Sequence, residues 1–150
     1  MKESESAAVI ATLNEILELE LAGVVRYSHY SLMIFGHARI PIVSWMRTQA
    51  TEALAHAVAA GEYVTALGGH PSLGIGKLLE THKHDIDQIL REALEHELEG
   101  IAAYRKLLKQ SEGKSVVLEE YARTMVHGEE THVMDIEKML RRPGKLEPVR

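Results

Sequence analysis

Residues 20–27 read ELAGVVRY, and residues 97–104 read ELEGIAAY. Both follow Glu-Leu-x-Gly-x-x-x-Tyr, and they begin 77 residues apart. Each lies in a stretch where apolar residues recur every three to four positions, the period of an amphipathic helix. A carboxylate in the middle of an apolar helix face needs a partner, because burying it unpaired is costly.

The same periodicity extends to both sides. From Ala7 to about Phe35 the residues Ile10, Leu13, Leu17, Val24 and Tyr27 share a face, and Glu3 and Glu5 suit a helix N-terminus. FGHARIP interrupts the pattern, and Pro41 is tolerated in the first turn of a second helix. That helix runs to about Leu67 and stops at Gly68, Gly69 and Pro71. GGHPSLGIGK is a long Gly/Pro-rich connection. The spacing predicts a third helix over about Leu78 to Gln110, a tight SEGK loop, and a fourth helix over about Ser115 to Arg141. The tail RRPGKLEPVR holds two prolines and does not continue a helix. No segment alternates like a strand. The expected fold is all-α: a four-helix bundle of two helical hairpins joined by a long crossover, over residues 1–142, with a short tail at 143–150.

Composition narrows the function. The chain has 150 residues, 45% apolar and 26% charged, enough for one domain with a core. A net charge of -5 argues against nucleic acid and anionic membranes as partners. The absence of cysteine excludes disulfides, thiolate metal sites and cysteine nucleophiles, and leaves His and carboxylate chemistry. No apolar run approaches the roughly 18 residues of a membrane helix, and MKESESAAV lacks the features of a signal peptide, so a cytoplasmic location is expected.

Followed in steps of three and four, the four seams carry polar residues where a core is expected. The first passes Leu17, Glu20, Val24 and Tyr27, and the second Gln49, Glu52, His56, Ala59 and Tyr63. The third passes Ala93, Glu97, Ile101 and Tyr104, and the fourth Met125, Glu129, His132 and Ile136. Six ionisable groups thus point into one interior: Glu20, Glu52, His56, Glu97, Glu129 and His132. No Lys or Arg on these seams is placed to neutralise them. Two divalent cations would cancel four carboxylates and use both imidazoles as neutral ligands.

Internal spacing supports this. Glu20 to Glu52 and Glu97 to Glu129 are both 32 residues. Each half then supplies a lone Glu, a Tyr seven residues later and a Glu–His pair. Tyr27 and Tyr104 are placed to donate to ligand carboxylates, and Gly23 and Gly100 suit close helix approach.

At these residues the chain resembles the ferritin-like superfamily of di-iron carboxylate proteins, bacterioferritins in particular, over residues 8 to 141. LNEILELELAGVVRY is similar to the family's first ligand helix, LEHELEGIAAY to its third, and GEETHVMDIE carries Glu129-x-x-His132. The family pattern is a Glu from each of two helices and Glu-x-x-His from the other two. The resemblance implies Glu20 and His56 as terminal ligands of one iron, Glu97 and His132 of the other, and Glu52 and Glu129 as bridges. It implies oxidation of Fe(II) by O2 or H2O2, for iron detoxification or storage, with Mn or Zn as possible substitutes in the site.

The chain departs from the family at three places. Glu52 and His56 are four apart rather than three, so that alignment through His56 puts Ala53 at the family's Glu position; a one-residue π-bulge would restore the geometry. The haem-ligating Met falls at Leu54, with Met46 two turns away, so no haem is expected. The Pro-containing tail replaces the family's short fifth helix, which counts against a closed cage; a homo-oligomer, at least a dimer, is expected. The alternatives are a rubrerythrin-like peroxidase or oxidase without a storage cage, although its rubredoxin-like module would need cysteines, and a metal-free helical interaction protein with a vestigial site.

Smaller signals remain. His82, Lys83, His84 and Asp85 read as a solvated helix start, with an outer metal patch as the other reading. His96 and His127 neighbour ligand positions and read as surface residues or as partners of the ligands. His29, His37 and His70 carry no signal. Arg105, Lys106, Lys109 and Lys114 read as a solvated basic helix end.

Overall fold

A computed structural model describes residues 1–149, and among them the regular structure is four helices. These are α1 (Glu3–Met33), α2 (Arg39–Ala66), α3 (Ile86–Ser111) and α4 (Val116–Leu140). There is no strand and no fifth helix among the described residues. No helix of the described residues is long and apolar enough to cross a membrane.

Helix ends follow local chemistry. Ser115 caps α4 by accepting from the Leu118 N–H, and Glu5 in the first turn of α1 accepts from the Lys2 N–H. α1 ends at Met33, short of Phe35; the Arg39 guanidinium donates to the Ile34 and Ser31 carbonyls that the helix end leaves free. The start of α3 corrects the expected Leu78. Asp85 is the N-cap, its carboxylate accepting from the Gln88 N–H, and residues 78–85 lie outside the helix. Leu78 and Leu79 imitate helical periodicity but belong to the crossover.

α1 packs on α2, α3 on α4, and α1 on α3. α1 and α3 are antiparallel, because Tyr27 meets Glu97 while Tyr104 meets Glu20. The crossover runs along α1. Asn14 holds the His70 carbonyl and the Ser72 N–H, Gly76 donates to the Glu18 carbonyl, and Glu80 reaches His29. At Gly76 a Cβ would stand 2.8 Å from that backbone oxygen. Gly100, inside α3, has nothing within 4 Å of such a carbon, so the close approach expected there is absent. Gly76→Ala therefore lowers stability by about 1–3 kcal/mol through overpacking. Gly100→Ala raises it by up to about 1 kcal/mol through helix propensity. Denaturant unfolding of the two variants checks the opposite signs.

The apolar core is in two parts. Val9, Leu13, Ile16, Val64, Tyr104, Leu107 and Leu118 fill one end. Tyr27, Ile34, Met46, Ile89, Leu90 and Ile136 fill the other. Each such side chain contributes about 1.5–3 kcal/mol on burial. Between them lies a polar waist, and α2 and α4 stand apart along it. The groove between them holds about 240 Å³ and is lined by Glu52, His56, Thr124, Gly128, Glu129 and His132.

Candidate metal centre

The waist gathers five side chains from four helices: Glu20 from α1, His56 from α2, Glu97 from α3, and Glu129 and His132 from α4. Glu129 stands at their middle. Its Oε1 lies 3.3 Å from His56 Nδ1, which is also 3.5 Å from Glu20 Oε1. Its Oε2 lies 3.9 Å from His132 Nδ1, which is 3.6 Å from Glu97 Oε2. Two donor clusters result, Glu20–His56–Glu129 and Glu97–Glu129–His132, each with its atoms within 4.8 Å of one another. One carboxylate thus offers a different oxygen to each cluster.

Two tyrosines cross between the halves. Tyr27 donates to Glu97 Oε1 at 2.5 Å, and Tyr104 donates to Glu20 Oε1 at 2.9 Å. Each lone Glu keeps its other oxygen for the centre or presents the same oxygen to it. Burial and the neighbouring carboxylate push the Tyr27 hydroxyl upward, so it stays a donor. Tyr27→Phe leaves a buried carboxylate oxygen unpartnered. The expected cost is about 1–3 kcal/mol of stability and a 10–100-fold loss of metal affinity in the Glu97 half. Chemical denaturation and Zn(II) titration check both.

The buried acids and imidazoles of the waist shift one another's protonation. Burial raises Glu20 and Glu97 above the ordinary carboxylate range. Burial would raise Glu129 too, but the imidazoles of His132 and His56 facing it outweigh that and hold Glu129 low. In turn Glu129 and Glu20 raise His56 to about 10. At His132 burial opposes the charge, yet Glu129 and Glu97 still raise it to about 10. The protonated imidazoles offset the charge of the carboxylates beside them. His132 Nε2 is buried without a partner, while Nδ1 faces the acids. The nitrogen–oxygen separations of 3.3–3.9 Å exceed ordinary hydrogen bonds. They are close to the spacing of donors that share an ion at about 2.0–2.2 Å. Hard oxygens with two imidazoles suit Fe(II), Mn(II) or Zn(II), and the donor set fits a pair of such ions.

Glu52 is placed differently from its expected position. α2 is α-helical throughout Arg39–Ala66, without the π-bulge. Its buried stripe runs Met46, Gln49, Ala53, Ala57, Ala60, Val64, one position off the expected seam. Ala53 therefore faces the centre, and Glu52 is exposed at the groove mouth, outside both donor clusters.

Three further polar residues line this region, and of them Arg26 was not expected there. Of the two readings of His96, surface residue or partner of the ligands, burial excludes the first: it lines a small chamber with Glu20, Ala53, Glu97 and Glu129. A Cβ on Gly23 would lie 3.1 Å from His96 Nε2, so glycine is what admits that imidazole. Arg26, also buried, contacts His96 Nδ1 at 3.4 Å and donates to the Tyr30 hydroxyl and the Glu92 carbonyl. Burial and this guanidinium lower His96 to about 4, which keeps it neutral. Gln49 completes the wall beside Glu52 and His132. His127 is exposed.

Comparison with known proteins bears on the family and the fold. The family model for the ferritin-like domain, Ferritin, matches residues 10–144. No curated protein matches the chain by sequence. Among solved structures, a ferritin-like diiron-carboxylate protein from Bacillus anthracis superposes with a TM-score of 0.87 at 22% identity, covering 94% of this chain and all of that one. A Desulfovibrio desulfuricans bacterioferritin, described with a diiron site, has a TM-score of 0.79 at 26% identity, covering 93% of this chain and 82% of its own. A bacterioferritin-related protein from Bacteroides fragilis, described as a dodecameric thioferritin, has a TM-score of 0.81 at 21% identity over 90% of this chain and 85% of its own.

Proposed function

The chain belongs to the ferritin-like domain family, and from that premise we propose that its waist binds two Fe(II) ions as substrate and oxidises them with O2 or H2O2. The observation that carries this is Glu129, whose two oxygens face two separate donor clusters. Glu20 and His56 complete one place, and Glu97 and His132 the other. Two Fe(II) deliver two electrons in one encounter, which with two protons turn O2 into H2O2, or H2O2 into two waters.

The residues around the metals set the conditions for that exchange. Tyr27 and Tyr104 hold the lone carboxylates in place. The two apolar clusters close the waist above and below, so ions and oxidant arrive through the groove between α2 and α4. Ala53 leaves the family's second bridging carboxylate absent from the inner face. Glu52 stands at the groove mouth as a carboxylate that meets incoming Fe(II). Glu52→Ala is expected to keep two ions per chain and slow their uptake about 10-fold, the lower end for a residue supporting a metal site. Stopped-flow mixing with Fe(II) measures that rate. Leu54 offers no thioether for haem.

Exposed apolar side chains on α1 and α2, among them Leu32, Leu54 and Val58, suit a homo-oligomer. We place the protein in the cytoplasm, in iron detoxification. The test is to add O2, or H2O2 in its place, to protein preloaded anaerobically with two Fe(II). Ferric absorbance rising well ahead of the buffer blank, with two Fe(II) consumed per oxidant, is the expected result. A rise no faster than the blank with either oxidant contradicts the reading.

A further inference from the structure

We propose that His29, Glu80 and His84 form a second metal site, on the outer surface, that binds one borderline divalent transition ion and pins the crossover to α1. The site is separate from the waist and does not depend on its chemistry. His29 Nε2 lies 2.8 Å from Glu80 Oε2, and His84 Nε2 lies 3.1 Å from Glu80 Oε1. All three donors fall within 4.8 Å of one another. Donors around a tetrahedral ion at about 2.1 Å stand about 3.4 Å apart, so small side-chain shifts suffice. Two imidazoles and one carboxylate, without thiolate, select ions such as Zn(II), Co(II) or Fe(II) over Ca(II) or Mg(II). Partial exposure of all three side chains leaves room for water to complete the coordination.

The backbone prepares the carboxylate. His82 has φ +57°, a left-handed conformation uncommon for non-glycine residues, although histidine adopts it more readily than most. That conformation brings its N–H to within 2.5 Å of Glu80 Oε1. The His82 N–H, His29 and His84 all contact the Glu80 carboxylate and fix its position. Thr81 next to it is anchored on Glu92 of α3. The chain thus holds the carboxylate in place between the two histidines, as a supporting residue does for a metal ligand.

The position gives the ion a structural task. His29 lies on α1, and Glu80 and His84 lie 51 and 55 residues later in the crossover. Between Leu67 and α3 that crossover has no helix of its own, and a few hydrogen bonds tie it to α1. His29 and Glu80 also line a crevice of about 460 Å³ with Val25, Arg26, Leu78 and Leu79.

Equilibrium dialysis against Zn(II) tests this in metal-stripped full-length protein and in a Glu97→Gln/Glu129→Gln background. His29→Asn/His84→Asn is expected to remove one Zn(II) equivalent in each background. Its residues are partly exposed, and an unchanged far-ultraviolet circular dichroism spectrum checks that the fold is intact. Zn(II) at 100 times its dissociation constant is expected to slow hydrogen exchange of the crossover amides about 100-fold, an effect lost in the double-Asn variant. Equal Zn(II) equivalents with and without His29 and His84, in either background, overturn the site. Crossover exchange unaffected by bound Zn(II) overturns the pinning role.

Discussion

Replacing Glu129 with alanine abolishes metal loading in both halves of the waist, while Glu97→Ala empties one. The asymmetry follows from the geometry. Glu97 presents Oε2 to His132 alone, whereas Glu129 presents Oε1 to His56 and Oε2 to His132. Without Glu129 the two half-sites retain Glu20 with His56, and Glu97 with His132, two residues each. The excess of positive charge grows as well, because two divalent ions then meet two carboxylates instead of three. Affinity for each ion falls by at least about 100-fold, the upper end of what a lost supporting residue costs a metal site. The fold survives, since the apolar clusters at either end do not involve this side chain. Anaerobic Fe(II) titration of the two variants, with circular dichroism as the folding control, checks the contrast.

The second large effect is on pH. In the metal-free waist His56 and His132 both sit at about 10, so both carry a proton at neutral pH. A metal needs the Nδ1 lone pair, so loading both places expels two protons. Each proton released makes affinity rise tenfold per pH unit below the imidazole value and level off above it. For the pair the product of binding constants grows about 100-fold per pH unit between about pH 6 and pH 8. Burial also raises Glu97, and any proton on it adds to the release in the same direction. Calorimetry of Zn(II) binding in buffers of different ionisation enthalpy counts these protons. Zn(II) serves because it has no redox chemistry.

Most of the bundle was legible because Leu, Ile and Tyr mark its seams. The two octapeptides announced the polar waist, since an acid framed by such residues is conspicuous. α2 was harder to read. Alanine occupies residues 50, 53, 55, 57, 59 and 60, on the inner and outer faces alike, while Leu54 and Val58 point outward. Hydropathy therefore could not set its rotation, and the assigned seam was one residue away from the buried one. That single step turned Glu52 from an expected bridge into a residue at the groove mouth. The family's spacing already pointed to Ala53.

Arg26, and the burial of His96, escaped for a different reason. Their residue types read as surface, and their burial depends on a contact between α1 and α3 that a one-helix reading does not contain. The available signal was Gly23, which lies opposite His96. The early start assigned to α3 came from Leu78 and Leu79, although Asp85 with Gln88 marked the cap. His29 carried no meaning until the crossover brought Glu80 and His84 to it.

The central claim is that Glu129 bridges a pair of metals. Anomalous diffraction from crystals soaked anaerobically in Fe(II) tests it most directly. The account predicts two iron peaks in the waist about 3.5–4 Å apart, one beside Glu20 and His56, the other beside Glu97 and His132, with Glu129 between them. A single peak in the waist, or two that do not share Glu129, would contradict it.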